Sequence, residues 1–279
     1  MSLSAIAKKE FRDSIRSYSL VALVALFTVF AGGLALTQFV PPAYLTGTHD
    51  TSTLALLNSM RQPTVFLVPM IGLAVGYGAI AGERQAGSLR LLLGLPNSRA
   101  DVVFGKFVGR TGSILVAIAV GYAVAGGVAL ATYESFDAGL FGRYTALTAL
   151  YGTVYLAFAV GISSLLDSKE KALVGVSGAY VLFLIGWDVL LLVLQLLIYG
   201  PTAPPGGLPD WFKFVGLANP STAFMYATRT VVPAYRELTF YPDSNAVFLQ
   251  EWVGFPLLLL WGLVPLGVGY YRFRTAHLS

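Results

Sequence analysis

The sequence contains no cysteine, which excludes disulfides and any Cys-ligated metal. Charge is almost as scarce: 11% of residues are charged and 56% are hydrophobic. A soluble domain carries about 25% charged residues. The mean hydropathy is correspondingly high, at +0.71. Histidine occurs only at His49 and His277, outside the apolar runs, and neither G-x-S-x-G nor H-E-x-x-H is present. Nothing in the chain therefore assembles into a catalytic site, a metal site or a cofactor-binding site.

What is there is a series of long apolar runs. They cover Ser19 to about Val40, Thr64 to Ala81, Thr111 to Thr132, Tyr144 to Leu166, Ala172 to Tyr199 and Val253 to Tyr271. Each is long enough to cross a hydrocarbon core of about 30 Å at 1.5 Å per residue. The fold expected is all-α: one polytopic membrane domain over residues 1–279, with six transmembrane helices. A cleaved signal peptide is the rival reading of the first run. Its apolar stretch is too long for that and follows a long amphipathic segment, so a retained span is expected.

The loops between the runs set the orientation. With the N-terminus inside, the inner segments hold thirteen of the 18 Lys and Arg residues, from Lys8 and Lys9 through Arg84, Arg110 and Lys171 to Arg272 and Arg274. The outer segments hold Arg61, Arg143, Lys213, Arg229 and Arg236. The positive-inside rule then puts both termini in the cytoplasm of a multi-pass protein of the cell membrane. The same distribution accounts for the pI near 9.2, so no nucleic-acid partner is implied.

Three segments outside the runs carry information. Within residues 1–18, Leu3, Ala7, Phe11, Ile15 and Tyr18 form one apolar stripe, while Lys8, Lys9, Arg12, Asp13 and Arg16 fall on other faces. That pattern predicts a helix lying in the plane of the bilayer, its cations against an anionic leaflet. The loop of residues 83–110 offers a short helix-capable stretch, SLRLLL, bounded by Gly87, Gly94 and Pro96. Ser98 and Asp101 then fit a capping box for a helix that runs through Lys106 into the third span. Leu89, Leu91, Leu92, Leu93 and Leu95 are concentrated in a loop that should face water, and such a cluster predicts a docking surface for another protein, with folding back on its own bundle as the alternative. Residues 200–251 form a long outer segment. Its early prolines break any continuous helix, and STAFMYATRTVV after Asn219-Pro220 is apolar enough to dip into the outer leaflet. Arg229, Arg236 and Glu237 are placed at the rim of that side.

Inside the spans, Asp188 is the outstanding polar residue, with Gln195 two turns on. A carboxylate in the membrane costs roughly 2.5–3.5 kcal/mol on insertion scales and marks a candidate translocation path, structural pairing being the alternative. Gly72 and Gly76 form G-x-x-x-G, which predicts close helix packing.

Together these motifs resemble those of ABC-2-type transporter permeases. The resemblance rests on Glu83, Arg84, Gly87, Leu89, Leu92, Pro96, Ser98, Arg99, Gly105 and Lys106 in the inner loop. It is extended by the N-terminal KKEFRDSIRS, similar to the family's elbow helix with Lys9, Arg12 and Arg16, and by the outer LANPSTAF. The resemblance implies a permease, an exporter, whose inner loop is the coupling helix that seats in a separate ATP-binding subunit. It also implies a second contact around Ser168 to Lys171, and a second permease copy, identical or related. The chain itself has no G-x-x-x-x-G-K-[ST], so ATP would be bound by the partner. The alternative is an ion-coupled carrier or channel without an ATPase, which would require intramembrane charge pairs and interrupted spans. Within the family, the compact layout resembles the permeases associated with nitrous-oxide-reductase maturation, often labelled copper transporters. Copper(I) needs soft ligands, and beyond the initiator there are only Met60, Met70 and Met225, widely separated. Lipids, drugs and sulfur species stay open as substrate classes.

Overall fold

A computed structural model describes residues 2–37, 51–202, 204–205, 207–238 and 245–275. Among them the architecture is all-α, with a single isolated β-bridge between Ser52 and Ser135. The chain opens with α1 (Leu3–Ile15) and α2 (Tyr18–Thr37), then α3 (Thr53–Gly76), two short helices α4 (Ala81–Gln85) and α5 (Ser88–Gly94), and α6 (Arg99–Thr132). It continues through α7 (Ala138–Leu165), α8 (Lys169–Val181) and α9 (Trp187–Tyr199), and then α10 (Asp210–Leu217), α11 (Pro220–Val231), α12 (Tyr235–Leu238) and α13 (Gly254–Thr275).

Five helical units are long and apolar enough to cross a membrane: Thr53–Gln85, Arg99–Thr132, Ala138–Leu165, Lys169–Tyr199 and Glu251–Thr275. The α1–α2 pair, bent by 63°, makes a sixth when counted as one span. The protein is therefore a multi-pass membrane protein. The expected positions Gln38 to Val40 of the first run, and both histidines, lie outside the described residues.

The second span begins well before the expected Thr64. Ser52 caps α3 by accepting from the Ala55 amide at 3.2 Å, and the helix runs unbroken through Arg61, Pro63 and Pro69. Hydropathy alone hides this, because polar residues dilute the signal without ending the helix. Prolines persist there because neighbouring helices support the freed backbone groups.

The core lies where α7 packs against α3, α6 and α13. Gly72 and Gly76 do what their spacing predicts. A Cβ on Gly72 would lie 2.9 Å from the Gly152 carbonyl oxygen, and one on Gly76 would lie 2.5 Å from Ala159 Cβ. A second close approach seats α1 on α6, where a Cβ on Gly109 would come within 2.3 Å of the Ala7 carbonyl oxygen. Thus α1 is fastened to the bundle through Ile6 and Glu10, both buried, while Leu3, Ile15 and Tyr18 of the expected apolar stripe are exposed. In the middle of the bundle, Tyr122 places its hydroxyl between Thr64 (2.9 Å) and Thr148 (3.2 Å). The fifth span stands at the periphery, and α9 has no buried residue.

Candidate functional site

Two neighbouring features make up the candidate site: a small platform at one end of the bundle, and a buried ion cluster beneath it. The platform is α4–α5. Gly87 adopts φ +73°, a left-handed conformation that glycine takes without strain, and this turns the chain between the two helices. Arg84 donates to Asp167 at 2.8 Å. Gln85 bonds both the Lys169 amide (2.8 Å) and the Glu170 carboxylate (3.1 Å), and the Gln85 contact holds that exposed carboxylate below its ordinary range. The two inner loops read separately in the sequence thus form one surface.

The leucines of α5 divide. Leu89 is buried at 1% exposure and anchors the helix to the bundle, with Leu92 and Leu93 partly buried beside it. Leu91 and Leu95 are exposed, Leu91 at 78%. Leu89 therefore folds back on its own bundle, while Leu91 and Leu95 stay open on the same segment. Pro96 is exposed, and Asn97 closes the turn by donating to the Leu92 carbonyl at 2.9 Å. The expected capping box is present: Ser98 accepts from the Asp101 amide, and Asp101 accepts from the Ser98 amide. The Ser98 hydroxyl, donating to the Asp101 carboxylate at 2.6 Å, and then the Ser98 amide hold that carboxyl below its ordinary value. Arg99 reaches the C-terminal end of α13, donating to the Arg274 carbonyl at 3.1 Å, with its guanidinium over the Phe273 ring.

Beneath this platform lies the buried cluster. Lys106, fully buried on α6, bonds Glu10 of α1 at 2.5 Å and Glu83 of α4 at 2.7 Å. Arg110, one turn further, bonds the other Glu10 oxygen at 2.8 Å and donates to the Val75 carbonyl of α3. Burial opposes the Glu10 charge, but Arg110 and then Lys106 outweigh it and hold the carboxyl below its ordinary value. A polar cavity of about 350 Å³ adjoins the cluster, lined by Glu10, Glu83 and Arg110 together with Asp13, Tyr77 and Lys169. The sequence marked Glu83 and Lys106 as motif residues but missed Glu10. Its one signal was an acid between the cations of an amphipathic helix whose other acid is Asp13. Of the expected elbow cations, Lys9 pairs with Asp13 at 3.4 Å on the surface, and Arg12 and Arg16 are exposed.

Asp188 and Gln195 are not brought to this site or to the bundle core. Asp188 sits on the exposed side of α9, directly after a π-helical turn over Leu182–Gly186, and Gln195 is half-buried. The inward side of that turn is taken by aromatic and amide contacts. Trp187 donates to the Val215 carbonyl at 2.9 Å, and Asn219 donates to the Phe183 carbonyl at 2.8 Å. Asn219 also caps α11, whose Ser221 meets the hydroxyls of Tyr151 (2.9 Å) and Tyr155 (3.1 Å). Among its described residues the segment of residues 200–251 therefore contains the short helices α10, α11 and α12, with α11 largely buried against the spans. Arg236 pairs in bidentate fashion with Glu251 (2.6 and 2.8 Å), and buried Arg229 lies 3.7 Å from the same carboxylate. Among the described residues no group of three His, Asp or Glu side chains could hold a metal ion.

Comparison with known proteins covers nearly the whole chain. The model of the ABC-2 family transporter protein matches residues 4–278. A relative from Stutzerimonas stutzeri, named "Probable ABC transporter permease protein NosY", is 34% identical over 223 residues, 78% of each chain. A protein of the same name from Pseudomonas aeruginosa is 31% identical over 269 residues, covering 92% of this chain and 96% of the relative.

Proposed function

Since the chain belongs to the ABC-2 transporter family, we propose that it is the membrane-spanning permease subunit of an ATP-binding cassette exporter, driven by a separate ATPase. The relatives named as ABC transporter permeases support the first part of this reading. The coupling is carried by one observation: an apolar side chain, Leu91, stands 78% exposed on a seven-residue helix that Leu89 anchors to the bundle, directly after α4, which Arg84 and Gln85 tie to Asp167 and Lys169. A rigid platform with an exposed apolar tip suits a cleft in a partner protein. A push on that tip would reach α6 and α1 through Lys106 and Glu10, a two-state rearrangement of packed helices. The charge count supports a cytoplasmic position for this platform and both termini. The test is co-purification. The tagged chain, expressed with an ATP-binding cassette protein from the same genome, is expected to carry vanadate-sensitive ATP hydrolysis. A chain that binds no ATPase, yet conducts an ion-driven flux alone, would return the carrier reading.

A second copy completes the translocation path in this reading. The support is α9: it is apolar, has no buried residue, and displays Asp188 on its open side. A carboxylate left against lipid costs energy, and a facing copy would enclose it in a polar path. The cysteine-free sequence makes the test direct. Val189→Cys is expected to cross-link two copies under mild oxidation in membranes, whereas Leu263→Cys on α13 is not. Equal cross-linking at both positions would remove α9 from the interface.

A further inference from the structure

Lys8, Arg12 and Arg16 are exposed and form no ion pair among the described residues, unlike Lys9, which is held by Asp13. Lys8 and Arg12 adjoin Ile15, at the edge of the apolar stripe, at i, i+4 and i+7. Ile15 is also the end wall of a groove of about 500 Å³ between α2 and α6, lined chiefly by Val21, Val24 and Val29 on one side and Val116 and Val120 on the other. Thr28 and Ser113 are its hydroxyls among the described residues, and Ser113 already donates to the Phe11 carbonyl at 3.5 Å. From Val21 to Val29 the groove rises about 12 Å at 1.5 Å per residue, close to the depth of one leaflet. An open trough of that length, lined almost wholly by aliphatic side chains, accommodates an extended hydrocarbon chain. Cations at one end and an aliphatic trough one leaflet deep at the other match the order of groups in a phospholipid.

We propose that this groove is a binding site for one anionic phospholipid of the cytoplasmic leaflet, with its phosphate at Lys8, Arg12 and Arg16 and an acyl chain between α2 and α6. The lipid would brace the 63° bend between α1 and α2, where the elbow joins the first span. The site does not depend on an ATPase, so it can fail while the coupling reading stands, and the reverse.

The test uses the full chain in nanodiscs made from equal amounts of phosphatidylglycerol and phosphatidylcholine, followed by native mass spectrometry of the extracted protein. Phosphatidylglycerol is expected to be retained about ten-fold over phosphatidylcholine, at one molecule per chain. The surface variant R12Q/R16Q should bring the two lipids to parity, and Ala25→Phe, which fills the groove from an exposed wall position, should release both. Should Ala25→Phe impair folding, R12Q/R16Q carries the test alone. Equal retention of the two lipids by the unmodified chain would overturn the proposal, as would retention unchanged in R12Q/R16Q. A loss of dimer with Ala25→Phe, without lipid release, would give the groove to a second copy instead and equally overturn it.

Discussion

Replacing Leu91 by aspartate is expected to weaken association with the ATPase by about thirty-fold or more, the effect of losing an interface residue worth about 2 kcal/mol. The variant should fold and insert normally, because a side chain 78% exposed contributes little to the stability of its own bundle. Leu89→Asp provides the contrast. That side chain is 1% exposed, and a buried charge there should destabilise the chain itself before any partner is met. Surface plasmon resonance of detergent-purified subunits reads the first effect, and thermal unfolding reads the second. An unchanged affinity for Leu91→Asp would remove α5 as the docking element.

Lys106→Met is expected to cost about 3–5 kcal/mol of stability, because it leaves two largely buried carboxylates with one fewer cation between them. Adding Glu83→Gln to Lys106→Met should restore much of that loss, since Glu10 keeps Arg110 as its partner and Glu83 no longer holds an unpaired charge. The pH dependence supplies a second readout. Glu10 is held below the ordinary 4.5, with the opposing effect of burial overcome by Arg110 and Lys106. Its folded value being depressed, the stability it contributes is present at neutral pH and is lost as the pH falls below 4.5 through the folded value. Unfolding in detergent should therefore show a loss in that window for the unmodified chain and a flatter profile for Glu10→Gln. A flat profile for both would mean that Glu10 titrates alike in the folded and unfolded states.

Much of this arrangement was legible in the sequence because membrane insertion writes itself in one dimension. The apolar runs, the G-x-x-x-G of α3 and the Ser98–Asp101 capping box each depend on neighbours within a few residues, and each is present, although the helix of the second span starts earlier than its hydropathy predicts. What depends on distant partners was not legible. Glu10 and Lys106 are 96 residues apart, and nothing local marks either as half of a pair. The division of the α5 leucines was hidden for a related reason. Periodicity can group Leu89 with its neighbours, but only the packed bundle decides which one is covered. Asp188 was recognisable as unusual, yet the direction in which it points is a property of the helix before it.

That direction follows from the π-helical turn at Leu182–Gly186. A π-turn holds one residue more than an α-helix needs for the same rise, so it sets the angular phase of everything after it. Deleting a single residue there would restore α geometry and rotate α9 by about 100°. Asp188 would leave its open face, and Trp187 would lose its line to the Val215 carbonyl. The position of the carboxylate is thus set by a counting error kept in the backbone, which no side-chain substitution along α9 can correct.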